Sequence, residues 1–164
     1  MNELQVSPEQ LFVTTTLKAW DLWLGRITKF FDGLTDEQML QEIAPGKNRA
    51  VYLYGHLLVV SDAMIPQMGL GEAKYEHLRE AFLSKPDRAV ELPGSAELRE
   101  SWREVHARVG SVFAELKPEQ WLAGHATVSA EDFAAQPHRN RLSILLSRTS
   151  HLGYHLGQLM LMTR

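Results

Sequence analysis

The sequence predicts an all-α fold: a four-helix bundle in up-down-down-up order, with a long crossover between helices two and three. Four stretches carry apolar residues at helical spacing, and no segment keeps a two-residue alternation. Residues 67–94 separate the second and third stretches, far more than the roughly 2–8 residues that join antiparallel neighbours, so those two helices can run parallel. With 164 residues the chain fits one domain, residues 1–164, long enough to bury most of its apolar surface around a single core.

The first helix is expected over residues 8–33. Ser7-Pro8-Glu9-Gln10 forms a capping box with proline at the first helical position, and Leu11, Leu17, Trp20, Leu24, Ile27 and Phe31 follow at helical spacing. The second begins near Asn48, after Pro45-Gly46, carries Val51 to Ile65 and fails at Pro66. The crossover holds a helical stretch of its own, Ala73 to Leu83, suited to covering one end of the bundle. In the third, Ser95 is the expected cap, and Leu98, Trp102, Val105, Val109, Val112 and Leu116 alternate in steps of four and three. The fourth runs from about Arg139 to Met162.

Two segments echo one another. Leu34-Thr35-Asp36-Glu37-Gln38-Met39-Leu40 follows helix one, and Leu116-Lys117-Pro118-Glu119-Gln120-Trp121-Leu122 follows helix three; each leads to an Asn-Arg pair that opens a histidine-bearing helix. Either the chain is two related hairpins, or Glu-Gln before an apolar residue is simply a common helix start, as at residues 9–11. On the fourth helix, Leu145, Leu152, Leu156 and Leu159 share one face, while Ile144, His151, His155 and Met162 share another about a third of a turn away. A helix apolar on most sides is buried in its fold or covered by another subunit, so a homodimer is expected. Thr149, Gly153 and Gly157 form a small-residue ridge where another helix should approach.

Charge and composition exclude several classes. Net charge is −3 from 20 acidic and 17 basic residues, well mixed, which offers no basic face to nucleic acid or an anionic membrane. Cysteine is absent, leaving histidine and carboxylates as the strong ligands; any thiol chemistry needs a diffusible thiol. The N-terminal residues lack the basic start and apolar stretch of a signal peptide, and no run of 18 apolar residues follows, so a cytoplasmic protein is expected.

The histidines carry the chemistry. His151 and His155 stand four residues apart within an apolar helical pattern, and His56 stands within a second. A four-residue step puts two side chains about 5–6 Å apart, so both imidazoles can reach one ion at roughly 2.0–2.1 Å with a third from a facing helix. Three neutral ligands leave the ion's charge intact and a position open, which suits catalysis better than a structural role. The alternative is three partly buried histidines satisfied by backbone or water. His77, His106, His125 and His138 are expected to be surface or packing residues. The Leu-Gly-Tyr between His151 and His155 lacks the glutamate of the zinc-protease helix motif, which disfavours that reaction.

A lone histidine on an internal helix, followed by a C-terminal helix reading His-x-x-x-His-x-Gly-Gln (here His56, then His151, His155, Gly157 and Gln158), resembles the DinB/YfiT-like superfamily of four-helix-bundle metalloenzymes. Helix order, crossover and length extend the resemblance over nearly the whole chain. It implies a divalent metal, often nickel or zinc, on these three histidines, and usually a homodimer. Members with assigned activity include transferases using bacillithiol or similar low-molecular-weight thiols and a mycothiol-dependent maleylpyruvate isomerase, so the expected function is a metal-dependent thiol transferase or a hydrolase. A non-catalytic, metal-stabilised dimeric stress or binding protein is the alternative, and a metal-free helical scaffold is a third.

Position nominates further residues. Arg148, three before His151, is placed to pair with an anionic substrate or thiol, or is an ordinary helix arginine. Tyr52, one turn before His56, points into the site or to the surface. Gln158 is placed to orient a ligand histidine or to support helix packing, because ligand imidazoles usually donate their second N–H to a partner. Helix one offers Thr14, Thr15, Lys18 and Asp21 without ranking them. Trp20 and Trp102 fall on seam positions and belong to the core.

Overall fold

Four long helices form where the apolar periodicity puts them. A computed structural model of the chain describes residues 6–162; the reading of the first five residues as free of a leader lies outside that span. The elements are α1 (Pro8–Asp32), α2 (Asp36–Met39), α3 (Ala50–Asp62), α4 (Met64–Gln67), α5 (Ser95–Glu115), α6 (Pro118–Trp121), α7 (Ala130–Ala135) and α8 (Arg141–Leu159). There is no strand among the described residues, and none of their helices is long and apolar enough to cross a membrane.

Contacts give the helix directions. Along α1 and α8, Trp23 covers Gly153, and further on Phe30 shares a depression with Leu156 and Met160, so the two run parallel. Along α3 and α5, Tyr54 stacks on Trp102 and Asp62 meets Arg108, again parallel. Between α1 and α5 the order reverses, with Thr28 against Trp102 and Trp20 against His106. It reverses also between α3 with its continuation α4 and α8, where His56 meets His151 and Gln67 meets Arg148. This is the up-down-down-up arrangement, closed by the crossover. Its core joins Trp20, Ile27, Phe31, Tyr54, Leu98, Trp102 and Leu145, all nearly devoid of solvent contact.

Several boundaries differ from the sequence expectation, each for a local reason. α3 stops at Asp62, because the Pro66 ring conflicts with the carbonyl four residues earlier; the chain restarts as the single turn α4, where Pro66 sits in a first turn that needs no N–H donor. Gly94, not Ser95, is the N-cap of α5. Ser95 is already helical, and its hydroxyl donates instead to Asp36 at 2.6 Å. α8 is shorter at both ends than expected: the Asn140 side chain accepts the Ser143 N–H and fixes the start, and the helix ends at Leu159.

The crossover segment Ala73–Leu83 is not an α-helix. It forms a 3-10 turn at Glu76–Leu78 and a π-helical turn at Glu80–Ser84. Both ends are tied to the bundle in ways an α-helix would not reproduce. The buried Asp62 carboxylate accepts the Tyr75 N–H at 2.7 Å, while the Phe82 ring lies so close to Gly55 that a Cβ there would stand 2.2 Å from it. Beyond it, Asp87 takes a bidentate bond from Arg49 and the Arg49 backbone N–H. Burial alone would raise the Asp87 pKa, but these bonds hold it below the usual value.

The two hairpins do repeat. Gln38 closes a capping box on Thr35, and Gln120 makes the same bond to the Lys117 N–H. The Ala50 N–H then reaches Gln41 and the Arg141 N–H reaches Ala123, through matching isolated bridges Glu42–Arg49 and Gly124–Asn140. One constant spacing relates buried Trp20, Ile27 and Phe31 to buried Trp102, Val109 and Phe113. The histidines break the repeat, since the position matching His56 in α8 is Ser147.

Candidate metal centre

α3 presents His56 and α8 presents His151 and His155. Because the helices are antiparallel, a single residue of α3 falls opposite the four-residue step of α8. The Nε2 atoms of His56 and His151 are 3.2 Å apart and those of His151 and His155 are 2.9 Å apart; the ligand nitrogens of all three fall within 4.8 Å of one another. Two of the rings are fixed from behind. His56 Nδ1 is 3.0 Å from the Phe82 carbonyl and His155 Nδ1 is 2.8 Å from Gln158 Oε1, so each Nδ1 carries the proton and each Nε2 presents a lone pair. Gln158 is held in turn by its Nε2 donating to the Tyr154 hydroxyl at 3.2 Å.

This donor set fits a cation. His151 has one ring proton, so its Nε2 can satisfy at most one of the two lone pairs facing it. A tetrahedral divalent ion at roughly 2.0–2.1 Å from each nitrogen needs ligand nitrogens about 3.3 Å apart, close to the two separations seen. All three rings are held in the neutral form that a ligand must have. For His56, burial lowers the pKa, the Phe82 hydrogen bond opposes this, and the Arg148 charge lowers it further. Burial brings His151 down to about 4, helped by His155, His56 and then Arg148. Burial lowers His155 against the raising effect of Gln158.

A cavity of about 330 Å³ reaches His155 and Gln158 between Ile43, Leu53 and Tyr154. A larger one, about 650 Å³ between the crossover and the start of α3, contains none of the three histidines.

A family model described as the DinB superfamily matches residues 19–159, which include all three histidines. The chain belongs to the DinB superfamily. No curated protein matches its sequence.

In this DinB bundle the nominated residues separate clearly. Gln158 holds His155, and Arg148 lies close enough to His56 and His151 to act on both. Tyr52 does not offer its hydroxyl to the site: it donates to the Lys85 carbonyl at 2.8 Å and its ring packs on Phe82, supporting the turn that orients His56. Thr14, Lys18 and Asp21 border a depression between α1 and α5, and the Thr15 hydroxyl returns to the Leu11 carbonyl, so none of the four joins the histidines. His106 is a partly exposed packing residue whose ring Nε2 is buried, His77 and His138 are exposed, and His125 contacts Thr127. Gly153 does face α1, through Trp23, whereas Gly157 has open space beside it.

Two participants escaped sequence reasoning. Phe82 acts through its backbone carbonyl, which has no side-chain signature. Gly55 admits the Phe82 ring, and its only signal was a glycine interrupting an apolar helix next to a histidine.

Proposed function

We propose that this DinB protein is a divalent-metal-dependent enzyme in which His56, His151 and His155 are the protein ligands of a nickel or zinc ion. The reaction is transfer to or from a low-molecular-weight thiol, or hydrolysis. One observation carries the reading: three Nε2 atoms converge while two of the rings have committed their protons to Phe82 and Gln158 on the far side. A divalent ion held there supplies Lewis acidity, which brings the pKa of water toward about 7 and favours thiolate over thiol.

The chain's own residues do the rest. Phe82 and Gln158 fix the two rings in their ligand tautomer, and Ile43 and Leu53 give the adjoining cavity apolar walls. Three neutral imidazoles cancel none of the ion's charge, and the absence of cysteine leaves the thiol to be diffusible. Its setting would be the cytoplasm, where small thiols stay reduced. We also propose a homodimer, supported by exposed Leu22 on α1 and Leu146, Tyr154, Met160 and Leu161 on and after α8; light scattering at micromolar concentration tests it.

The deciding experiment is elemental analysis of the purified chain beside His151→Ala, then a screen of glutathione, bacillithiol and mycothiol against electrophiles. The proposal expects stoichiometric metal in the wild type, almost none in the variant, and metal-dependent turnover. Full metal content in the variant overturns the ligand set. Metal without turnover by any thiol or hydrolytic substrate favours the non-catalytic binding protein.

A further inference from the structure

Arg148 stands on α8 three residues before His151, on the same side of the helix, and it is half-buried. Its Nε is buried without a hydrogen-bond partner among the described residues, and one terminal nitrogen donates to Gln67 Oε1 at 3.1 Å. No carboxylate lies within ion-pair distance of it among the described residues. The other partly buried arginines near the core are satisfied. Arg49 is bidentate on Asp87, Arg99 bonds the Phe31 and Leu34 carbonyls, Arg108 bonds the Glu72 carbonyl beside Asp62, and Arg141 bonds the Met68 and Gln120 carbonyls. A guanidinium has five donors in a planar fork matched to carboxylate or phosphate, and removing its charge from water without a partner is costly. Here that cost falls beside three rings with converging lone pairs, close enough for the charge of Arg148 to be felt at His56 and His151.

We infer that Arg148, with the Gln67 amide beside it, is the anion-recognition element of the histidine site, so that the substrate or thiol taken there carries a carboxylate-class anion near its reacting atom. This rests on the metal reading above. The guanidinium supplies the charge and the fork. Gln67 steadies one terminal nitrogen through its Oε1, and its amide N–H₂, without a partner among the described residues, is left to offer the same anion. A charge-assisted contact of this kind is worth about tenfold or more in affinity.

The test uses the full chain loaded with cobalt(II), followed by its sulfur-to-cobalt charge-transfer band during titration with mercaptoacetate or with uncharged 2-mercaptoethanol. The wild type should prefer mercaptoacetate by about tenfold or more. Arg148→Gln should reduce that preference severalfold with little change for 2-mercaptoethanol, and Arg148→Lys should keep part of it. Gln67→Leu, which leaves the guanidinium in place, should lower it by a smaller factor and serves if Arg148→Gln does not fold. Equal preference in wild type and variants overturns the inference. If neither thiol gives a band, the thiol part of the metal reading fails, and the anion is then read on the EDTA-treated chain. There, a benzoate-dependent rise in Tm in the wild type but not in Arg148→Gln supports the anion element, and equal rises overturn it.

Discussion

Two sets of partly or fully buried histidine in this bundle share a depressed pKa but differ in what faces their Nε2 atoms. His106 lies on α5 among Trp20 and Trp102, donates Nδ1–H to the Trp102 carbonyl at 2.8 Å, and leaves Nε2 buried without a partner among the described residues. Burial holds it at about 4, the value reached also by His151. Yet among the described residues no second imidazole meets the Nε2 of His106, whereas two meet that of His151. A lowered pKa therefore reports desolvation in both places, and only the convergence of lone pairs distinguishes a ligand set from a packing residue.

The strongest way to break the distinction is to remove metal. EDTA should lower the Tm of the wild type by about 8–16 °C, because an ion present about a thousandfold above its Kd contributes about 4 kcal/mol to the native state. His151→Ala should show no EDTA effect in the same calorimetric scan, and His106→Met should keep the wild-type effect. Gly55→Ala sharpens the comparison from the crossover side. Its new Cβ would collide with the Phe82 ring, costing about 1–3 kcal/mol by urea unfolding and moving the carbonyl that orients His56. Metal affinity by competition titration should then fall by about 10–100-fold.

Gln158→Leu should weaken metal binding by about tenfold, with little loss of urea stability, since it releases the His155 Nδ1 proton from its acceptor at an unstrained position. The last effect is absent at neutral pH and confined to acid. His106 has a folded pKa near 4 against an ordinary value of 6.5, so unfolding takes up a proton between these limits and stability falls as pH falls through the window. His106→Met should flatten the acid limb of the metal-free chain by one proton, about 1.4 kcal/mol per pH unit, and leave stability above pH 7 little altered.

How much of this was legible in the sequence depends on which atoms do the work. Helix existence was legible, because Leu98, Trp102, Val105 and Val109 encode a face, and so was the meeting of His56, His151 and His155, because side-chain donors announce themselves by type and spacing. Boundaries were legible only where one side chain decides them: Asn140 caps α8, whereas Ser95 was drawn off to Asp36 by a tertiary contact. The crossover misled for the same reason. Its apolar spacing reads as an α-helix, but Asp62 and Gly55, distant in sequence, fix Tyr75 and Phe82 into tighter and wider turns. The Phe82 carbonyl had no sequence signal at all.

The most direct test of the account is a long-range ¹H–¹⁵N spectrum of the imidazoles during zinc titration of the metal-free chain. His56 and His155 should begin as Nδ1–H tautomers, and the Nε2 signals of His56, His151 and His155 should shift together and saturate at one equivalent while His106 stays still. An Nε2 among the three that does not respond, or a response of His106 equal to theirs, would contradict it.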